Sequence, residues 1–522
     1  MRTGEGSAHA AASTWQGTAL VKPGKLGRQP GRDMRLSGRV YWILAALGIG
    51  GAYALGGIPA ATIGLAGTIG LWAFVEGRAS LWMSVAFMVF LFVFFPEAQP
   101  TGELLPEEFY YWGMGLAIIT LGLSTAVLVS RGVDWRLLKG RLRTAPSLAM
   151  MLLLAVFVLA ALYGELLGNE TFAVARQLFG CLLLPVYFLL ALAFLRTPKD
   201  VDLWLRRASW AVVLGAVWFV PKLFLASLAE GGYYREQSGL SGYAGAIALF
   251  SWNEFRGSYS FGARLRSGIQ CLLCVLVIVW MGHRAVLGSL AVVVLLMLVW
   301  TIWKRGILAL TLAASLLLVA AAAGPSLLER LLAIPGISGQ IASRLIFPLE
   351  EDTSYLGRQE QWVVVVSSVR ARPFLGDGMG SEVEFVVPGI QQVVRATFVD
   401  NGWGFLLLKT GLVGLSAFLV LLLAILRAAL ARLNFARTEL LRRNSFSLLA
   451  IFLYCLVGLL GGPTFFHFSG SGFVGIVLGS IVVLAETRQA TGSKRNECLQ
   501  HEANQSRKRG PHAHWLQKTE SV

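Results

Sequence analysis

Charged residues are scarce in this chain. They make up 14% of the 522 residues, whereas hydrophobic residues make up 56% and the mean hydropathy is +0.65. A typical soluble domain carries about 25% charged residues, so this chain has too few to cover the surfaces of soluble domains. Long apolar runs occupy most of the sequence instead. The composition therefore predicts a polytopic membrane protein.

Acidic residues are fewer than basic ones. The chain has 29 Asp and Glu against 45 Lys and Arg, which gives a net charge of +16 and a pI of about 9.9. In a soluble protein this excess would suggest a nucleic-acid partner, but in a membrane protein Lys and Arg mark the cytoplasmic loops. We therefore expect the lipid bilayer as a partner and no nucleic acid.

Cysteine is also rare, and its placement argues against a metal or redox site. Four of the five cysteines, Cys181, Cys271, Cys274 and Cys455, lie inside apolar runs, and Cys498 lies in a polar tail. The C-x-x-C pattern at Cys271 and Cys274 has no second ligand pair, so helix packing is the better interpretation.

Apolar runs long enough to cross a membrane recur along the chain. A bilayer core needs about 20 mostly apolar residues per helix, with about 17 as a lower limit. Thirteen runs have near this length, at 40–57, 58–76, 80–96, 109–130, 147–164, 173–195, 208–228, 267–282, 284–302, 306–325, 411–428, 446–464 and 470–486. With a weaker run at 239–255 they predict 14 spans. The predicted fold class is an all-α transmembrane bundle of about 12–14 spans, with one large periplasmic loop that contains short helices.

The distribution of Lys and Arg tests this segmentation. With both termini in the cytoplasm and the weak span included, 34 of the 45 basic residues fall on the cytoplasmic side. Cytoplasmic loops should hold this excess, and the later loops would invert without the weak span. The predicted organisation is a basic cytoplasmic tail, amino-terminal membrane helices, a periplasmic catalytic loop, carboxy-terminal membrane helices and a second basic tail, at 1–39, 40–325, 326–400, 401–486 and 487–522.

The one long polar interval, 326–401, is the best candidate for chemistry. Arg358 opens a helical pattern with Trp362, Val365 and Val369 on one apolar face, and Pro373 ends it. The GDGMG run that follows offers backbone that can approach a ligand closely, and its N–H groups could cradle an anion. We accordingly assign Gly376, Gly378 and Gly380 to substrate binding. The alternative interpretation is an ordinary surface helix and turn.

Other polar groups share the predicted outer face. Arg235, His283 and Arg284 fall there, and Arg284 stands at the junction of two spans, where snorkelling or loop capping is the alternative role. Lys409 lies in an apolar run, but Gly411 to Arg427 is already long enough to span. The preceding DNGWGFLLLKT is therefore predicted to form a short re-entrant or interfacial helix.

These residues together carry a family resemblance. Arg284 after a span end, Arg358 and Trp362 before PFLGDGMG, and DNGWGFLLLKTGLVG after a long external loop resemble the O-antigen ligase and O-antigen polymerase superfamily of bacterial membrane glycosyltransferases. The resemblance covers about residues 236–430. It implies that Arg284 and Arg358 hold the diphosphate of an undecaprenyl-linked glycan. The family often has His-Asn where this chain has Asp400-Asn401, at the group usually proposed as the base.

The chemistry implied by the resemblance suits these residue types. Guanidinium groups bind phosphate oxygens bidentately and stay charged, and Asp400 could accept the proton of an attacking hydroxyl. The alternative role for Asp400 is to cap the following helix. We expect no cofactor and no metal, because no D-x-D motif lies on the outer face. The remaining substrate contacts are assigned to Arg235, His283, Trp362, Asn401 and Trp403.

The expected function is glycosyl transfer at the periplasmic face of the bacterial inner membrane. The donor would be an undecaprenyl-diphosphate-linked glycan, and the acceptor a glycan or a lipid A core. A transporter or flippase for lipid-linked glycan is the alternative. A transporter would more often show related halves and charges near the middle of the membrane, whereas this chain has one large external loop and charges at span ends.

Overall fold

The structure, a computed structural model, describes residues 135–229, 240–281, 284–305, 353–387, 392–396, 399–436, 438–462, 465–466 and 470–486. Several predictions of the sequence lie outside the described residues. They are the first four spans, the span at 306–325, both tails, the loop residues 326–352, and the site residues Arg235 and His283.

The described chain is almost entirely helical. The helices are α1 (Trp135–Leu142), α2 (Ala145–Leu166), α3 (Thr171–Phe194), α4 (Pro198–Ala229), α5 (Leu240–Gly257), α6 (Phe261–Met281), α7 (Arg284–Arg305), α8 (Thr353–Ala371), α9 (Gly402–Phe435), α10 (Glu439–Gly458) and α11 (Gly470–Glu486). Two strands, β1 (Val383–Val387) and β2 (Gln392–Ala396), lie between α8 and α9.

The predicted class of a helical membrane bundle is confirmed. Nine of the predicted spans fall within the described residues, and each coincides with a helix. Five of these helices, α2, α3, α6, α9 and α10, are long and apolar enough to cross a membrane. The chain is a multi-pass membrane protein. The total of 14 spans stays a prediction, because five of them lie outside the described residues.

Helix α2 shows how an all-apolar sequence is divided between protein and lipid. Leu153 and Phe157 are fully buried, whereas Leu152, Leu159 and Leu162 are about half exposed. A helix that is apolar on every face suits a position at the edge of a bundle, where one face packs against neighbours and the other meets hydrocarbon. Helix α2 packs against α3 and α9, and α5 packs against α6 and α10.

Helix α9 is broken near its start. Gly411 has a φ of 61° and a ψ of −158°, which divides the helix into a short first part, 402–410, and a long second part that runs to Phe435. This backbone conformation is open to glycine and strained for other residues. The predicted short helix that leads into a span from Gly411 is confirmed.

Helix α11 is shorter than a full span. Its Gly475 packs against the carbonyl of Leu184 and its Gly479 against Phe188, so it lies along the second half of α3. Glycine permits this close approach of two backbones. The preceding Phe466 already lies beside Cys181, near the middle of α3. The apolar run predicted at 470–486 coincides with this helix, and its crossing of the whole membrane stays a prediction.

The contacts divide the bundle into two ends. At the first, which we name the loop end, the amide of Gly402 donates to the carbonyl of Leu459 at 2.8 Å and joins the start of α9 to the end of α10. At the other, the far end, Arg141 Nε pairs with Glu486 Oε2 at 2.7 Å. The helix ends predicted to be outer meet at the loop end, and those predicted to be cytoplasmic meet at the far end.

The strands form a small antiparallel hairpin that the sequence did not predict. Glu384 pairs with Arg395 in register, and their side chains form an ion pair at 2.6 Å on the exposed face. Val383 and Phe385 are buried on the other face, where β1 packs against α8. The loop was predicted to contain short helices, and the structure adds this hairpin, in which exposed and buried side chains alternate.

Candidate active site

Arg358 and Asp400 form the centre of the candidate site. Arg358 lies in the second turn of α8, and its Nε is 3.7 Å from Asp400 Oδ2. This distance is an ion pair and is too long for a hydrogen bond. Arg358 Nε is shielded from solvent and has no hydrogen-bond partner among the described residues. The two side chains are 37% and 55% exposed, so the pair is open to a ligand.

Asp400 and its neighbour Asn401 have different roles. The Asn401 side-chain oxygen accepts the amides of Trp403 at 2.9 Å and Gly404 at 3.2 Å, which makes Asn401 the N-cap of α9. The alternative role of Asp400 as the cap is therefore wrong, because that position is occupied by Asn401. The Asp400 amide donates to Gln361 Oε1 at 3.0 Å, which leaves its carboxylate facing Arg358.

Trp362 lies one turn after Arg358 on the same helix. Its ring lies close to Gly404, where a Cβ would be only 3.0 Å from the ring. The ring is still 40% exposed, so it keeps a free surface beside the ion pair. Trp403, by contrast, packs its ring edge to face against Phe418 with centroids 5.7 Å apart. The structure thus brings Trp362 to the site and uses Trp403 at least partly in packing.

The glycine turn after α8 is a packing element. The amide of Asp377 donates to Leu408 O at 2.7 Å, that of Met379 to Ala160 O at 3.0 Å, and that of Gly380 to Gln177 Oε1 at 2.8 Å. These N–H groups are occupied by protein acceptors, and the turn is inserted between α2, α3 and α9. The anion-cradle interpretation is therefore not supported.

The three glycines of this turn serve close approach. Gly376, Gly378 and Gly380 are buried and have positive φ angles of 64°, 75° and 82°. A Cβ at Gly376 would overlap the Leu408 carbonyl oxygen, and one at Gly378 would lie 2.6 Å from Gly164 Cα. Only glycine avoids both the strain and the overlap. The structure gives these glycines a packing role, and their assignment to substrate binding stays a prediction.

Arg284 begins α7 at the same end of the bundle. A Cβ at Gly461 would overlap that of Ala285, the residue next to Arg284, and Gly462 lies 3.9 Å from the Asp400 carbonyl by the same measure. The turn after α10 thus contacts both the start of α7 and the residue that precedes α9. This placement brings the Arg284 backbone to the neighbourhood of the Arg358–Asp400 pair.

Two polar residues of the site were missed by the sequence analysis. Gln361 is 6% exposed and holds the Asp400 amide, and its spacing of three from Arg358 on a helix could have indicated a shared face. Lys409 was noted only as part of the predicted re-entrant or interfacial helix, and the structure shows that it is fully buried and donates to Ser381. Its partner lies 28 residues earlier, so no local spacing points to it.

A metal site has no support in the described residues. No three His, Cys, Asp or Glu side chains lie close enough there to hold an ion. Metal independence nevertheless stays a prediction, since loop residues such as Glu350 and Glu351 lie outside the described part.

A comparison with known protein families identifies the region that contains this geometry. A family model described as O-antigen ligase matches residues 269–419. This segment is similar to O-antigen ligase domains. The resemblance predicted from the sequence is confirmed. No curated protein gave a significant match to the chain.

The matched segment contains every residue of the central geometry. Arg284, Arg358, Asp400 and Lys409 all lie within 269–419. The family supports a membrane glycosyl-transfer enzyme of surface polysaccharide synthesis. Helices α2 and α3 precede the matched segment, yet Ala160 of α2, Gln177 of α3 and Asn169 between them bind the glycine turn. The matched segment is therefore built into the bundle and packs against the helices before it.

Proposed function

We propose that the protein transfers glycan from an undecaprenyl-diphosphate-linked donor to an acceptor hydroxyl at the periplasmic face of the inner membrane. The acceptor is a lipid A core if the enzyme is a ligase, or the end of another glycan if it is a polymerase. The observation that carries the proposal is the Arg358–Asp400 pair at the loop end, with the backbone at the start of α7 near it.

The donor diphosphate is the group that Arg358 and Arg284 recognise. Arg358 Nε is a shielded donor with no hydrogen-bond partner among the described residues, and a phosphate oxygen is the acceptor that a guanidinium binds best. As the donor is cleaved, negative charge grows on the diphosphate. Arginines held in place before the reaction stabilise that charge more than they stabilise the ground state.

Asp400 acts as the base in this scheme. The acceptor oxygen forms a bond to the anomeric carbon, and the bond between that carbon and the diphosphate oxygen breaks. Undecaprenyl diphosphate leaves with the electron pair, and the hydroxyl proton passes to the Asp400 carboxylate. The 55% exposure of Asp400 gives an acceptor sugar access, and the Trp362 ring offers a flat surface on which a sugar can stack.

The test uses purified full-length protein in lipid nanodiscs with a labelled undecaprenyl-diphosphate glycan and each acceptor in turn. Wild type should release undecaprenyl diphosphate and form labelled product in the presence of EDTA. Arg358→Lys and Arg284→Lys should lower turnover roughly ten- to a hundredfold, because a charge-assisted contact contributes about 1.5–3 kcal/mol and lysine lacks the planar fork.

The matched control is Arg395→Lys, in an exposed ion pair with Glu384 on the hairpin. Its turnover should match wild type. Full activity of both site variants would exclude a diphosphate role for these arginines. Loss of activity in EDTA with rescue by Mg²⁺ or Mn²⁺ would exclude the metal-independent mechanism, and absence of product with every acceptor would contradict the proposed function.

A further inference from the structure

A buried lysine lies at the end of the short helix that begins beside Asp400. Lys409 is 0% exposed, and its Nζ donates to the carbonyl of Ser381 and, at 2.9 Å, to Ser381 Oγ. An ammonium group without such acceptors is costly to bury in an apolar bundle. The contact between Lys409 and Ser381 therefore holds the chain after α8 against the first part of α9.

Backbone hydrogen bonds join the same two segments on either side of Lys409. Asp377 N donates to Leu408 O at 2.7 Å, and Leu412 N donates to Pro373 O at 2.8 Å across the break at Gly411. Residues 372–381 and 408–413 thus interlock. We name this contact region the clamp.

The clamp lies at the opposite end of two helices from the candidate site. Helix α8 carries Arg358 near its start and leads into the clamp after Ala371. The first part of α9 carries Asp400 just before its start and ends in the clamp at Lys409. The two helices therefore run from the ion pair to the clamp, and a shift of one along the other would change the distance between Arg358 and Asp400.

We propose that Lys409 is a positioning residue that fixes the register of α8 against the first part of α9 and so sets the geometry of Arg358 and Asp400. The inference rests on the proposed function for its effect on catalysis. Its structural content, that Lys409 holds the clamp, stands without it. Lys409 does not touch substrate in this scheme and acts through the placement of the two site residues.

The first test compares Lys409→Met with Arg141→Met. Arg141 is an equally buried cation, at 2% exposure, and donates to the carbonyl of Leu195 at 2.6 Å, but it lies at the far end. Lys409→Met should lower kcat about ten- to a hundredfold with a smaller change in donor KM, because a displacement of about 1 Å can cost up to a hundredfold in rate. Arg141→Met should leave kcat per folded molecule near wild type. Equal kcat losses in both variants would overturn the proposal.

A double-variant cycle with Arg358→Lys separates positioning from general damage. If Lys409 acts through Arg358, the combined variant should lose less activity than the product of the two single losses. Arg141→Met combined with Arg358→Lys should give the product. If the losses from Lys409→Met and Arg358→Lys simply multiplied, the proposal that Lys409 acts through Arg358 would be contradicted. Ser381→Ala, which removes only the hydroxyl contact, should show a smaller effect in the same direction if Lys409→Met does not fold.

A readout without activity tests the clamp itself. Arg370 is exposed in the last turn of α8, just before the clamp, so trypsin should cleave after it faster in Lys409→Met or Ser381→Ala than in wild type. Arg141→Met should be cleaved at the wild-type rate. Unchanged cleavage in both clamp variants would overturn the inference. Faster cleavage in a protein that has no transfer activity would support the clamp while contradicting the proposed function.

Discussion

At the scale of single residues, the neighbours Asp400 and Asn401 illustrate how one position in the chain decides a role. Both residue types cap helices about equally well, so composition cannot assign the cap. The backbone assigns it: Asn401 precedes the first helical residue and accepts two amides, and Asp400 is one residue too early. Its carboxylate is thereby left to face Arg358.

This division of roles predicts opposite effects of two substitutions. Asn401→Ala should lower the free energy of unfolding by about 0.5–2 kcal/mol, since a cap is lost. Asp400→Asn should leave stability nearly unchanged and lower turnover by roughly a hundredfold or more, because the amide cannot accept the proton. Thermal unfolding in detergent and the glycan-transfer assay measure the two effects.

Asn401→Asp is the control, since aspartate keeps the cap and should restore stability. Asp400→His should retain some turnover, because histidine can also accept a proton and the resemblance places it here. If Asp400→Asn kept near-normal turnover, Asp400 would not be the base.

At the scale of elements, the glycine turn predicts a further asymmetry. In Gly376→Ala the alanine must adopt a positive φ, which costs about 1–2 kcal/mol of backbone strain. Its Cβ would also overlap the Leu408 carbonyl. Gly168→Ala introduces a similar strain at a φ of 79°, but nothing lies within 4 Å of its Cβ. Gly376→Ala should therefore lower the thermal midpoint clearly more than Gly168→Ala. Equal losses would mean that the turn has room to move away from α9.

Elements differed in how well the sequence predicted them. The helices were predictable because the thickness of the membrane sets the length of each apolar run. The break at Gly411 was predictable because glycine can adopt a conformation that interrupts a helix. The acceptors of the glycine turn were not, since Ala160 and Gln177 lie about 200 residues away in the chain. The Val-rich hairpin was missed because each strand has only five residues within a polar loop.

The candidate site was predictable only in part for the same reason. Arg358 and Asp400 were predicted because they are polar groups in a pattern that resembles the O-antigen ligase and polymerase superfamily, and the structure places them together. Gln361 and Lys409 could not be given their contacts from the sequence, because their partners, the Asp400 amide and Ser381, are distant in the chain. The arrangement of such partners is set by packing.

At the scale of the whole molecule, different ion pairs lie at the far end and at the loop end of the bundle. The far end contains a network of ion pairs in which Arg443 pairs with Asp202 at 2.7 Å and Arg206 pairs with the buried Glu254 at 3.0 Å. Three helices, α4, α5 and α10, meet there through residues that the Lys and Arg distribution predicts to be cytoplasmic. The Arg358–Asp400 pair lies at the opposite end, so the charge pattern and the packing agree on one division.

This division predicts which residues a membrane-impermeant maleimide can reach in intact spheroplasts. In a background without the five native cysteines, Glu384→Cys and Arg395→Cys at the exposed hairpin should label from outside, because the loop is proposed to be periplasmic. Arg442→Cys, exposed near the far end, should label only after lysis, and it is the matched control because its native side chain is about as open to solvent. The basic residues decide the expected orientation in the membrane, since 34 of 45 lie on the predicted cytoplasmic side. The potential across the membrane opposes their translocation. Labelling of Arg442→Cys before lysis, with the hairpin protected, would invert the protein and place Arg358 and Asp400 in the cytoplasm.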